Sequence, residues 1–282
     1  MVKIISDSTC DLSPALLAQY DVDILPLHII LGEQDYLDGQ GVTPEDIYRW
    51  SDENRTSPKT AAVALEDAVA ALQPHVQAGR EVIVFTISAS MSSTCQVLGM
   101  AAAQTNPALV HVIDSENLST GVGLLVIAAA EMAGKGMSAG EIVQAVEVLR
   151  PRVRASFVVD TLTYLHRGGR CSGMAALMGG ALKLHPRITV AQGSMSATRK
   201  YRGRMDHVIR SYVADLEGDL RAARREHIFI THSGCSEETL ASVYGMLEAL
   251  HHFEEIHVTR AGGVISSHCG PGTLGVLFIA GE

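Results

Sequence analysis

Six hydroxyl side chains fall within nine residues of one stretch: Thr86, Ser88, Ser90, Ser92, Ser93 and Thr94. They follow the apolar run Ile83 to Phe85 with no glycine among them. Hydroxyls placed where a strand runs toward a helix offer donors to an anion such as a carboxylate or phosphate. A helix beginning near Ser93 adds unpaired N–H groups and the positive end of its dipole. Capping that helix explains one serine. The rest of the cluster makes this stretch the first candidate site.

Three other stretches hold groups that could act on an anion. SSHCGPGTLG (266–275) sets His268 beside a Gly-Pro-Gly turn, where backbone can approach a ligand closely. The histidine is either an acid–base or donor group or an incidental neighbour of the turn. TYLHRGGRCSG (163–173) brackets two glycines with Arg167 and Arg170, a fork suited to carboxylate or phosphate. Their alternative is pairing with surface carboxylates. RKYRGR (199–204), with Arg202, opens a window to Arg225 holding eight of the 22 basic residues. It reads as a docking patch or as a solvated helix face. Asp7, Asp11 and Asp114 lie near strand ends, as catalytic carboxylates or as acceptors for loop backbone.

Other patterns are excluded. GPGTLG (270–275) spells G-x-G-x-x-G, but a strand-like segment follows it where a dinucleotide site needs a helix. No Walker A, H-E-x-x-H or G-x-S-x-G occurs, so no cofactor or metal is expected.

These residues need elements to position them. Val2–Ile5, 24–31, 82–87 and 109–113 read as strands. They alternate with helices near 14–20, 44–50, 65–72 (ended or kinked by Pro74), 93–104, 124–133 and 138–150. LGEQDYLDG (31–39) reads as a turn-rich connection. Alternation of this kind implies a mostly parallel sheet flanked by helices. After Pro151 the strands crowd together: 157–159, 188–191 and 195–198, the last two joined by a turn at Gln192-Gly193. A long helix at 205–225, a strand at 227–231, a helix at 238–251 and strands at 256–259 and 274–279 follow. We expect two α/β domains, 1–152 with a mostly parallel sheet and 153–282 with a mixed one.

The chain of 282 residues carries a formal net charge of −9, so it has no general attraction to nucleic acid or anionic membrane. Five scattered cysteines (Cys10, Cys95, Cys171, Cys235, Cys269) argue for a reducing compartment and against a disulfide framework or structural zinc. No signal peptide or integral membrane segment is read, and a cytoplasmic location is expected.

Taken together, DSTCDLS (7–13), PKT (58–60), SASMSST (88–94), IDSENLSTG (113–121), LTYLHRGGRCS (162–172) and HCGPGTLG (268–275) resemble the DegV family over about residues 3–280. The resemblance implies two α/β domains with a ligand tunnel between them, and non-covalent binding of a long-chain fatty acid. It further implies a carrier without catalytic residues that presents the carboxylate to a separate fatty acid kinase subunit. Thr60 and Ser92 match the family's carboxylate-binding positions, with Ser93 beside them, and His268 matches its histidine near the carboxyl end. Arg167, Arg170 and Arg202 are the expected partner-docking residues. The chain departs from the family in two places: Ala61-Ala62-Val63 replaces the usual Ser-Gln-Pro, and Ser93 stands where glycine is usual. The competing reading is a serine hydrolase or acyl transferase, with Ser92 as nucleophile and His268 as base.

Overall fold

The computed structural model describes residues 2–170 and 184–281. Cys171 and the end of the 163–173 stretch lie outside them. Two fully buried strands set the first layer. β1 (Lys3–Asp7) and β6 (Val82–Thr86) are buried along their whole length, as expected for central strands covered on both faces. β2 (Val22–Leu25) and β7 (Val110–Asp114) flank them in the order β2-β1-β6-β7, all parallel. Strand order reverses between β1 and β6. Such switch points open a crevice beyond the strands' carboxyl ends, and the hydroxyl stretch follows β6.

The expected strand at 24–31 divides, because its halves serve different sheets. Residues 28–31 form β3 (His28–Leu31), the centre of a three-stranded antiparallel sheet. Its neighbours are β4 (Gln34–Leu37), within the expected turn-rich connection, and β5 (Lys59–Ala61), which carries Thr60. The helices of this half are α1 (Pro14–Gln19), α2 (Pro44–Asn54), α3 (Leu65–Gln77), α4 (Thr94–Thr105), α5 (Thr120–Gly134) and α6 (Ala139–Leu149). Ser13 and Thr43 cap α1 and α2 ahead of prolines in their first turns, where the missing N–H costs nothing. Pro74 does not end α3, which continues to Gln77.

The second sheet holds strands from residue 153 onward, and we propose the domain division there. They are β8 (Val153–Val158), β9 (Leu184–Ala191), β10 (Ser194–Arg202), β11 (Ala223–His232), β12 (Glu255–Arg260) and β13 (Leu274–Ala280), in the order β10-β9-β8-β13-β11-β12. β11 and β12 are parallel and the other pairings antiparallel, so the sheet is mixed. Its helices are α7 (Thr163–Arg167), α8 (Met205–Asp215), α9 (Glu217–Arg221), α10 (Glu237–Glu248) and α11 (Gly263–Cys269). The single helix expected over 205–225 is instead α8, α9 and the start of β11. The helix α11, which carries His268, was not expected.

The two halves share one core. α5 is apolar on nearly every side and mostly buried, the mark of a helix enclosed all round. It packs against β1 and β6 of the first sheet and β8, β11 and β13 of the second. One apolar cluster runs from Ile4 and Phe85 through Val122 to Phe157 and Leu277. No helix of the described residues is long and apolar enough to cross a membrane.

Candidate functional site: an apolar cavity with a polar end

A cavity of about 290 Å³ lies between the two halves, close to the lower end of the ~300–1,000 Å³ of small-molecule sites. Leu118, Phe157, Leu165, Met195, Ile265 and Leu277 supply much of its apolar wall. Thr60, Ser92, Ser93, His268 and Arg170 also line it. Chain segments far apart in sequence therefore meet at one cavity.

Each polar group is placed by its own element. Thr60 pairs with Ile29 in the register of β5 on β3, and its Oγ1 lies 2.9 Å from His268 Nε2. Ser92 Oγ lies 2.8 Å from Thr94 Oγ1 and accepts from Thr94 N–H, so it shapes the entry to α4. Ser93 is the N-cap residue of α4 but makes no side-chain cap bond. Its φ of −78° is ordinary for any residue, which explains how a side chain is accommodated here. Ser88 is committed elsewhere: its hydroxyl donates to Gly193 O at 2.7 Å, latching the β9–β10 turn onto the first domain. Of the departures from the family pattern, Ala61 and Ala62 line the cavity, while Val63 is buried in the first domain's core.

His268 is held from two sides. Gly168, in the RGGR stretch, lies so close that a β-carbon there would overlap His268 Nδ1. Gly270 ends α11 at φ +74° against the Tyr164 ring. These contacts give the two glycine-bearing motifs a common purpose, the close packing of α7 on the end of α11. At the other end of α11, Gly262 N–H donates to Asp11 Oδ1 and Gly263 N–H to Asp38 Oδ1, each at 2.8 Å. Ser119 and Ser8 hydroxyls hold the opposite oxygens of these carboxylates at 2.5 and 2.7 Å.

Electrostatics follow from this burial. Burial pushes the His268 pKa down to about 4, aided by the nearby Arg170 guanidinium, so the imidazole is neutral near pH 7. Its Nδ1 has no hydrogen-bond partner among the described residues. A buried unsatisfied N–H is rarer than an unsatisfied acceptor, which puts the proton on Nε2, donating to Thr60 Oγ1. The Thr60 hydroxyl then keeps its own proton free for a further acceptor. Burial also pushes Asp7 up to about 6 and Asp11 up to about 8.

The three strand-end aspartates are backbone acceptors. Asp7 accepts from Thr9 N and Ile87 N, Asp11 from Gly262 N, and Asp114 from Ala89 N and Glu116 N. Asp7 thereby ties the end of β1 to the loop after β6. The expected docking arginines come from separate elements. Arg167 and Arg170 are exposed on and after α7, and Arg170 forms part of the cavity rim, its Nε 3.4 Å from Met91 O. Arg202 is exposed at the end of β10 and does not line the cavity. Sequence reasoning missed Ser119, Thr231 and Ser233 on the wall; Ser119 lies within IDSENLSTG and the other two at or just past the end of β11, none with a chemical pattern of its own.

The DegV family model, described as "Uncharacterised protein, DegV family", matches residues 1–281. The chain belongs to the DegV family. A DegV domain-containing protein of Deinococcus radiodurans is 32% identical over 280 residues, covering 98% of this chain and 97% of that protein. A DegV family protein from Thermus thermophilus, whose structure is described in terms of fatty acid binding, aligns with a TM-score of 0.91 at 30% identity over 99% of both chains. A stearic acid-binding protein from Eubacterium ventriosum aligns with a TM-score of 0.86 at 26% identity, over 99% of this chain and 98% of that one.

Proposed function

We propose that this protein binds a long-chain fatty acid non-covalently in the interdomain cavity and presents its carboxylate to a separate kinase subunit in the cytoplasm. The carboxylate would lie at Thr60, Ser92, Ser93 and His268, and the tail among Leu118, Phe157 and Leu277. The observation that carries this reading is the meeting of those four polar residues at a cavity whose remaining wall is largely apolar. The fatty acid binding described for the Thermus thermophilus relative supports it. Burial contributes about 0.8 kcal/mol per methylene, roughly 10 kcal/mol for a long chain before the costs of binding. A hydrogen bond to a charged group contributes about 1.5–3 kcal/mol. The tail supplies affinity, and the polar end orients the head group.

The geometry favours a carrier over a serine hydrolase. Ser92 Oγ is bonded to Thr94, and His268 Nε2 to Thr60. A nucleophilic serine needs its base within hydrogen-bond reach. Arg167, Arg170 and Arg202 are assigned to partner docking, with Arg170 at the rim where a kinase would meet the carboxylate.

Mass spectrometry of denatured purified protein tests the reading. Release of intact fatty acid from an unmodified chain is expected. An acyl adduct on Ser92 would establish the hydrolase reading instead, and a protein that neither carries nor takes up fatty acid would overturn the carrier.

A further inference from the structure

Along the outer edge of the second sheet, β11 and β12 run parallel with His227 opposite Glu255 and Phe229 opposite His257. Residues two apart on a strand share a face, so Glu255 and His257 project together, and His227 meets them from β11. His227 Nδ1 lies 3.1 Å from His257 Nε2 and 3.8 Å from Glu255 Oε2. His257 Nε2 lies 3.3 Å from that same oxygen. Three donor atoms thus form a compact triangle. Around a tetrahedral zinc ion with bonds of about 2.0–2.2 Å, neighbouring ligand atoms stand roughly 3.3–3.6 Å apart. The observed edges bracket that spacing.

The groups around the triangle are arranged to present lone pairs to it. His227 Nε2 lies 3.1 Å from Glu131 Oε1, so in the neutral ring the proton sits on Nε2 and Nδ1 faces the triangle unprotonated. A carboxylate behind a histidine in this way orients metal-bound imidazoles and raises their basicity. Phe229 stacks on His257 with ring centroids 4.6 Å apart, and the Tyr20 ring stands edge-on to His227 at 6.5 Å. Both imidazoles are therefore fixed in plane. The Glu255 side chain is 49% exposed, leaving the open side to solvent.

We propose that His227, His257 and Glu255 bind a divalent transition-metal ion, with water completing the shell and Glu131 as the positioning residue. Two imidazoles and one carboxylate suit zinc, whereas magnesium and calcium take mainly oxygen ligands. Binding takes the His257 tautomer with its proton on Nδ1, so that Nε2 coordinates as a neutral imidazole. None of the three ligands lines the fatty-acid cavity, so this site is separate from it. Glu131 belongs to α5, so a bound ion would brace the edge strand β12 onto β11 and, through His227, onto the central helix.

The test uses full-length protein stripped with a chelator and titrated with Zn²⁺ against a chromophoric competitor, and separately with Co²⁺. We expect one tight equivalent of zinc, a rise in Tm on its addition, and visible cobalt bands of tetrahedral intensity without a thiolate charge-transfer band. His257→Ala and Glu255→Gln should each weaken zinc binding at least 100-fold and abolish the Tm rise. Glu131→Gln should weaken it about 10- to 100-fold, and Ser92→Ala should leave it unchanged. Glu255 is half exposed, so Glu255→Gln decides the matter if His257→Ala fails to fold. Absence of a stoichiometric site, a thiolate band, or unchanged affinity in Glu255→Gln would overturn the proposal.

Discussion

Thr60 Oγ1 and His268 Nε2 stand 2.9 Å apart although 208 residues separate them in the chain. This bond joins an edge strand of the first domain to a helix of the second, at the polar end of the cavity. With His268 neutral and donating, the Thr60 hydroxyl proton is left free, and in the proposed function it donates to the ligand carboxylate. Thr60→Val should remove that donor while keeping the shape of the side chain, whereas Thr60→Ser should retain most of the affinity. Fluorescent fatty-acid displacement compares the two; equal losses would show that the hydroxyl is not the contact.

Ser92→Ala should weaken binding without abolishing it. Losing one hydrogen bond to a charged head group costs about 1.5–3 kcal/mol, or about 10- to 150-fold in affinity, against the larger contribution of the buried tail. Complete loss of fatty acid from a correctly folded Ser92→Ala protein would show that the head group dominates.

The glycines of the RGGR stretch should separate sharply. Gly168→Ala forces a methyl group against the His268 ring, and overpacking of this kind costs about 1–3 kcal/mol. It should also displace the ring from Thr60 and lower fatty-acid affinity. Gly169 has φ +71° and nothing near its missing β-carbon, so Gly169→Ala should strain the backbone and leave affinity intact. Denaturant unfolding and ligand displacement on both variants check this contrast.

The pH dependence follows from burial. His268 falls from an ordinary value near 6.5 to about 4 in the folded chain. Between these values the unfolded chain binds more protons, so this residue's contribution is complete above about 6.5 and is lost as pH falls toward 4. Asp11 has the opposite sign: raised from 3.8 to about 8, it favours the fold below about 3.8 and loses that contribution as pH rises through 8. Asp11→Asn keeps an acceptor for Gly262 N–H but cannot titrate. Urea unfolding from pH 6.5 to 8 should show a smaller decline in stability for Asp11→Asn than for the natural chain.

Kinase turnover should depend on the exposed arginines more than fatty-acid binding does. Charges at an interface rim steer association and are screened by salt. Arg170→Ala and Arg202→Ala should therefore slow acyl-phosphate formation by a cognate kinase, with rising salt acting in the same direction. Loss of fatty-acid binding with normal turnover of the remaining loaded protein would instead place Arg170 in the ligand site.

What was legible in the chain alone is what local chemistry dictates. β6 is buried on both faces and reads as the apolar run Val82 to Phe85, β1 shows through the β-branched Ile4 and Ile5, and Ser13-Pro14 and Thr43-Pro44 announce helix starts through side-chain caps. Thr60, Ser92, Ser93 and His268 were legible as members of motifs, since their residue types and order carry the resemblance. The small sheet was not, because β4 is largely exposed and polar and β5 has three residues; both exist by pairing with β3. Nor was α11, which opens on two glycines of weak helix propensity and whose first N–H groups are met by Asp11 and Asp38, more than two hundred residues away. The strand at 223–225 was hidden in a basic run that reads as helix until β13 pairs with Ala223. The His227–Glu255–His257 triangle has no sequence spacing of its own, because only the register of β11 on β12 brings it together. Periodicity and capping act within a few residues and so can be read from them, whereas the meeting of distant donors is decided by the packing of whole elements around the shared core.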